Sequence, residues 1–375
     1  MTASRTNWLL IILLFVVGLF AAAQFAKIAL TLDALNAVYS GSALPFAVSA
    51  LSVAGILFGV TAGMIVAQFG PRRVLLCALA AASLLSILQA FLPSFQVFMA
   101  LRLVEGFSHL ALVVAAPTLM AALSSRRDVS VSMGLWGTFF GVGFAGAAAV
   151  IPLLDGAAQV YGAHGIFGSI LLAMLWLLLP RGVARGRWEG NVWARHVAIY
   201  TNPRLVAPAL GFLWHTMMFL GLLTFLPSVL GDWTGPLLPL LALIGTFGAG
   251  WLARWITPRT VLLAGFAATV AGLLLALVAP MPLQVWVVLA VFVVIGLVPG
   301  ASFASVPALN GDPADQARAN GAIAQLGNIG TATSTPLFAA VVAFDFEGLA
   351  LAAVAVSGIG FVFVWLIHRK IANSA

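Results

Sequence analysis

The chain has 375 residues, 63% of them hydrophobic and only 7% charged, where a soluble domain carries about 25% charged residues. So little polar surface excludes a water-solvated globule, and the solvent for most of the chain must be lipid. The single cysteine, Cys77, excludes an internal disulfide framework. The 37 glycines suit helices that approach closely in a bilayer.

Twelve apolar stretches follow in chain order, each long enough for a hydrocarbon core about 30 Å thick. They are 8–31, 44–67, 73–92, 96–123, 130–154, 162–180, 205–230, 236–253, 260–279, 283–309, 318–343 and 347–368. The first, from Trp8 to Leu30, is too long for the apolar region of a signal peptide and lacks a convincing small-residue cleavage site, so it is expected to be a span. The longest non-apolar stretch, Arg181 to Arg204, separates spans six and seven. The expected fold is an all-α membrane protein of twelve transmembrane helices. It comprises a six-helix bundle over 1–180, a cytoplasmic linker over 181–204 and a second six-helix bundle over 205–375.

Charge placement fixes the expected orientation. With the N-terminus inside, the inner segments carry Arg5, Arg72, Arg73, Arg126, Arg127, Arg181, Arg185, Arg187, Arg195, Arg204, Arg254, Arg259, Arg318, Arg369 and Lys370. These are 15 of the 17 basic residues; the outer loops carry none, but hold Asp33, Asp155, Asp232, Asp345 and Glu347. Such a split is the positive-inside pattern. It predicts an inner-membrane protein with both termini cytoplasmic, and it explains the pI near 10.7 without any nucleic-acid partner.

The two halves resemble each other. Gly63-Met-Ile-Val-Ala-Gln-Phe-Gly-Pro-Arg-Arg-Val-Leu-Leu76 matches Gly250-Trp-Leu-Ala-Arg-Trp-Ile-Thr-Pro-Arg-Thr-Val-Leu-Leu263 at an offset of 187, which also aligns Gly134 with Gly321 and Gly143 with Gly330. Parallel repeats of six spans are the plan of major facilitator transporters. The loop between spans two and three resembles the signature of that superfamily, roughly Gly-x-Leu-x-Asp-Arg-x-Gly-Arg-Arg, with Gly63, Ile65, Phe69, Gly70, Arg72 and Arg73 in register. Ala67 and Gln68 replace the Asp and the first Arg, and the missing Asp removes a latch that the resemblance would otherwise imply. Arg102-Leu-Val-Glu-Gly106 is similar to a second signature, on span four. The resemblance implies a gating role for Gly63, Gly70, Arg72 and Arg73. It also implies a central cavity lined by spans one, four, seven and ten. The glycine-rich fifth span, with Gly134, Gly137, Gly141, Gly143 and Gly146, lacks the Gly-Pro of drug/proton antiporters, which disfavours drug efflux.

Three charges remain that belong to no loop: Lys27, Arg102 and Glu105. A charge in hydrocarbon costs at least ~2.5 kcal/mol and persists only when paired or in a wet cavity. Arg102, Glu105 and His109 share one helical face, at depths of about 10, 15 and 20 Å. Glu105, Arg102 and His109 are therefore the expected proton-coupling group, because desolvation can change a carboxyl's proton affinity. A plain structural Arg–Glu pair is the competing reading. Gln24 and Lys27 share a face of span one, His215 sits near the middle of span seven beside Thr216, Met217 and Met218, and Gln325 and Asn328 share a face of span eleven. Gln24, Lys27, Arg102, His109, His215, Gln325 and Asn328 are the expected substrate contacts. For Lys27 the alternative is snorkelling to the headgroups.

No nucleotide-binding loop, zinc-protease helix or soluble domain is encoded, so an ion gradient must drive any pumping. Gly106-Phe-Ser108-His109 does not make an intramembrane hydrolase, since adjacent Ser and His point to different sides of a helix. The expected function is therefore proton-coupled secondary transport of a small anionic or zwitterionic organic solute, by a monomer in a lipid bilayer without a cofactor or metal. The alternatives are a copper transporter using His109, His215, Met217 and Met218, and a non-transporting receptor or assembly factor on the same scaffold.

Overall fold

The computed structural model describes residues 5–39, 44, 46–181 and 191–373, and every regular element among them is helical. In chain order these are α1 (Trp8–Leu30), α2 (Leu32–Val38), α3 (Phe46–Phe69), α4 (Pro71–Ala90), α5 (Phe95–Leu123), α6 (Val129–Gly137), α7 (Phe139–Val150), α8 (Gly156–Leu178), α9 (Val192–Thr201), α10 (Pro203–Leu230), α11 (Thr234–Leu252), α12 (Pro258–Val278), α13 (Leu283–Leu309), α14 (Pro313–Ala339) and α15 (Asp345–Asn373). Short 3-10 turns, Ile151–Leu153 and Val342–Phe344, follow α7 and precede α15.

Local chemistry sets the starts. Proline opens α4, α10, α12 and α14, where its missing N–H costs nothing. Asn7, Asn202 and Thr257 cap α1, α10 and α12 by accepting from Leu10, Arg204 and Thr260 backbone N–H groups. The repeated Pro-Arg-x-Val-Leu-Leu thus has a structural meaning: it is the first turn of α4 and again of α12. Gly70, just before α4, has φ 87°, a conformation that glycine alone adopts freely.

Ten described helices are long and apolar enough to cross a bilayer, or eleven if the bent pair α6 and α7 is one span. The fifth expected span is broken. A bend of 46° separates α6 from Phe139–Leu153, and Thr138 at the break donates from Oγ1 to the Leu135 carbonyl at 2.7 Å. Such back-bonding bends helices. The eleventh expected span forms α14, 27 residues long, but it is not among the ten: Asp315, Gln316, Arg318 and Asn320 in its first half, and Gln325, Asn328, Thr331, Thr333, Ser334 and Thr335 in its second, make it polar throughout. Two short helices, α2 and α9, were not expected. α9 lies in the linker, of which Arg185 and Arg187 fall outside the described residues.

The chain forms two compact units. The first takes in Met1–Arg126, Phe139–Gly190 and Asp312–Ala324; the second takes in Arg127–Thr138, Asn191–Gly311 and Gln325–Ala375. Each unit therefore includes one segment from the other half of the sequence. In the first, α14 meets α3 where Gly63 lies against Ala317, Arg318 and Gly321. In the second, α6 meets α11 where Gly134 lies against Gly250. Gly63 and Gly250 stand 187 residues apart, as do Gly134 and Gly321, so these two backbone contacts are one contact used twice. An ion pair, Arg254 to Asp128 at 2.6 Å, crosses the α6–α11 contact.

Within the second unit α13 is nearly enclosed, with Val288, Phe292, Ile295 and Val298 inaccessible to solvent. Glycines permit this. A Cβ on Gly245 would strike the Val293 carbonyl, and one on Gly296 would strike that of Ala242. Lipid tails are as apolar as these side chains, so close packing rather than hydrophobic transfer must hold such helices together. Overpacking typically costs 1–3 kcal/mol. Gly245→Ala and Gly296→Ala should each lower the thermal unfolding midpoint by several degrees in detergent, whereas Gly248→Ala, where a Cβ would meet nothing within 4 Å, should leave it unchanged. Equal shifts at all three positions would contradict this account of α11 and α13.

Candidate functional site

Polar groups that lipid cannot solvate must find one another. In the first unit four helices supply them. α1 contributes Gln24 and Lys27, α4 contributes Ser86 and Gln89, α5 contributes Arg102, Glu105 and His109, and α8 contributes His164. The spacings of three and four residues place each set on one helix face. Gly106 brings α5 close to α3, where a Cβ would press on Leu51 and Ala54.

Glu105 is the hub, and it is fully buried. Its Oε1 accepts from the Lys27 ammonium at 2.7 Å and from Gln24 Nε2 at 3.3 Å. Its Oε2 accepts from Arg102 at 2.6 Å and from Gln89 Nε2 at 2.8 Å. Arg102, also inaccessible, donates from Nε to the Ala47 carbonyl (3.3 Å) and from Nη2 to that of Gln24 (3.2 Å). Lys27 donates to Ser86 Oγ at 2.9 Å as well, and its Nζ lies 4.7 Å from the centre of the Tyr161 ring. Two cations therefore surround one carboxylate, leaving one positive charge unbalanced.

The histidines extend the network. His109 Nδ1 faces the Ala21 carbonyl at 3.2 Å and Gln24 Oε1 at 3.1 Å. Both are acceptors, since Gln24 Nε2 is the atom turned to Glu105, so Nδ1 of His109 carries the proton. His109 reaches Glu105 through Gln24. His164 lies with Nδ1 3.0 Å from Ser86 Oγ and Nε2 3.1 Å from the Phe20 carbonyl.

The structure brings Gln24, Lys27, Arg102, Glu105 and His109 together. Lys27 is 1% exposed and paired, which rules out snorkelling. The expected set omitted Ser86, Gln89 and His164. The available signal was spacing: Ser83, Ser86 and Gln89 fall three apart on one face of α4, and His164 stands three after Tyr161 on α8. The remaining expected contacts belong to the second unit. His215 is buried on α10, stacked on Phe219 with ring centres 5.1 Å apart, and its Nδ1 has no hydrogen-bond partner. Gln325 accepts from the Tyr200 hydroxyl at 2.8 Å, tying α9 to α14, and Asn328 is half-buried.

Of the gating set, Gly63 is the close contact to α14 already described. Arg72 binds the last turn of α8, donating to the carbonyls of Leu179 (3.0 Å) and Trp176 (2.9 Å), where a cation also suits the helix dipole. Arg73 is exposed. No group of three or more His, Cys, Asp or Glu that could hold a metal occurs among the described residues. Met218, one of the conceivable copper ligands, has its sulfur 2.8 Å from the Ser357 hydroxyl.

A gallate transporter from Pseudomonas putida is 31% identical over 180 residues, which is 46% of this chain and 40% of that protein, so the match spans under half the length of the relative. Among solved structures, the proton:xylose symporter XylE bound to 6-bromo-6-deoxy-D-glucose aligns with a TM-score of 0.74 and 15% identity, covering 95% of this chain and 94% of that one. The human organic anion transporter MFSD10 (TETRAN) aligns with a TM-score of 0.70 and 19% identity, over 96% and 98%. At these identities the two structures establish the fold. The family model described as Major Facilitator Superfamily matches residues 10–309, and with most of the sequence inside that match the chain belongs to the Major Facilitator Superfamily.

Proposed function

We propose that this protein is a proton-coupled secondary transporter of a small organic anion, residing in the cytoplasmic membrane with both termini inside. The observation that carries the reading is the unbalanced positive charge of the buried Lys27–Glu105–Arg102 cluster. A buried charge without a partner is costly. The site can relieve it by binding an anion or by losing a proton. Anion binding therefore favours the protonated site, and protonation favours the anion. Such linkage is reciprocal, and it moves anion and proton together, as a symporter requires. Gallate, the solute named for the relative, is an aromatic carboxylate and fits this charge.

In this reading Glu105 and Arg102 hold the coupling charge, with His109 attached through Gln24. Gln24, Lys27, Arg102 and His109 contact the solute from the first half of the sequence. His215, whose Nδ1 has no hydrogen-bond partner, is the proposed solute contact of the second half, together with Gln325 and Asn328. The two sequence halves, 1–180 and 205–375, are the rocking bodies of alternating access. The contacts that must yield are those where a first-half helix meets a second-half helix: Gly63 with Gly321, Gly134 with Gly250, and the Asp128–Arg254 pair. Gly70 and Arg72 hold the start of α4 firm while this happens, and Arg73 faces outward beside them.

Two outcomes follow. Lys27→Met leaves Arg102 and Glu105 as a neutral pair, so the protein should fold; its affinity for gallate in proteoliposomes should fall at least tenfold, about 1.4 kcal/mol, and accumulation driven by a pH gradient should vanish. Native-like uptake by this variant would overturn the reading. For the gate, Asp128→Ala and Arg254→Ala should each change the gallate exchange rate by roughly fivefold, about 1 kcal/mol for a half-buried pair, and the double variant should do no more than either. Additive effects would show that the pair does not act as a unit.

A further inference from the structure

We propose that His164 is the proton store of the site: a proton passes between the Lys27 ammonium and the His164 imidazole through the Ser86 hydroxyl, while Glu105 stays ionised throughout. This inference rests on the proton-coupled reading and names the group that carries the proton.

Glu105 is poorly placed for that task. Both its oxygens are occupied, by two cations and two amide N–H groups. Protonating it would remove an acceptor from at least one of these donors, and each buried donor left unsatisfied is costly. Lys27 has a second partner, and that partner leads elsewhere. Ser86 Oγ lies 2.9 Å from Lys27 Nζ, 3.0 Å from His164 Nδ1 and 2.8 Å from the Tyr161 carbonyl. Two of the three can accept its single proton. The hydroxyl therefore has two orientations, one toward Tyr161 and one toward His164.

His164 is built to receive. Nε2 faces the Phe20 carbonyl, which can only accept, so Nε2 carries the N–H and Nδ1 presents its lone pair to Ser86. The Phe20 ring lies nearly parallel beneath the imidazole, with centres 4.1 Å apart and planes 16° from parallel. A cation over an aromatic face is stabilised, so the same residue supports the imidazolium from ring and backbone together. The charged groups around it are Lys27 on α1 and, beyond Lys27, Glu105 and Arg102 on α5; α4 adds only the uncharged Ser83, Ser86 and Gln89.

The transfer balances. As an N–H bond of Lys27 breaks, an O–H bond forms on Ser86; the original O–H of Ser86 breaks as an N–H bond forms on Nδ1 of His164. The hydroxyl is regenerated, no electrons change hands, and the excess positive charge has moved from α1 to α8. Lys27, now neutral, releases its hold on a bound anion. His164 is a positioning and proton-holding residue, with no contact to solute implied.

The test needs no known substrate. The imidazole of His164 is followed by 15N NMR across a pH series in lipid nanodiscs, using the full chain labelled at histidine and assigned through His164→Asn. The expected result is that Nδ1 gains and loses a proton within the range where the protein stays folded, and that Ser86→Ala displaces the midpoint while Ser83→Ala, whose hydroxyl bonds the Leu79 carbonyl instead, does not. A His164 that remains neutral at every pH, or a midpoint indifferent to Ser86, would overturn the relay. Gallate accumulation under a pH gradient, measured in parallel, separates the two claims. A native protein indifferent to the gradient would sink the coupling reading, whereas a coupled protein in which His164→Asn and Ser86→Ala both keep full accumulation would sink this inference alone. Should His164→Asn fail to fold, Ser86→Ala decides.

Discussion

The structure turns on one carboxylate. Glu105 lies where water does not reach and is satisfied only because α1, α4 and α5 all send donors to it. Lipid offers no substitute for any of these bonds, so the four donors fix the rotation of three helices about their axes. Gly106, next in sequence, brings α5 onto α3 while Glu105 binds α1 and α4. Packing and charge are thus specified by adjacent residues, and the buried charge cluster and the scaffold of the first unit are the same object.

The internal repeat shows what the fold demands and what it leaves free. The Gly63–Gly321 and Gly134–Gly250 contacts are equivalent and both survive, because backbone approach tolerates nothing larger than hydrogen. The charges nearby have diverged. The first copy has Ala67 where the family signature has Asp; the second has Arg254 at the matching place, paired with Asp128. The position left uncharged in one repeat thus carries half of an ion pair in the other. The polar cluster diverges further: the first unit buries Lys27, Arg102 and Glu105, whereas α10 offers His215 among phenylalanines.

Much of this was legible in the sequence. Apolar length located the helices, Pro and Arg at the starts of α4 and α12 revealed the repeat, and the spacing of Arg102, Glu105 and His109 put them on one face. Other features depend on tertiary partners that no single-helix pattern records. The break at Thr138 coincides with a hydroxyl turned back on Leu135, and a threonine in a glycine-rich helix does not announce it. α14 reads as weakly apolar because its polar side chains are met by protein, as where Asn320 bonds Thr118 and Gln325 bonds Tyr200. Lys27 near the end of a span looks like a snorkelling residue until Glu105, 78 positions later, is seen to face it. His164 and Ser86 escape a sequence reading for the same reason, since the bond between them joins residues 78 positions apart.

The central claim is that the excess cation couples anion to proton. Calorimetry of gallate binding to the native protein, in buffers of differing ionisation enthalpy at neutral to mildly alkaline pH, tests it most directly. If the account is right, binding draws a proton from solution, so the measured heat changes in proportion to the buffer's ionisation enthalpy, and the dependence disappears in Lys27→Met. Binding with the same heat in every buffer would mean that the anion arrives without a proton, and that Lys27, Glu105 and Arg102 hold the helices together without coupling anything.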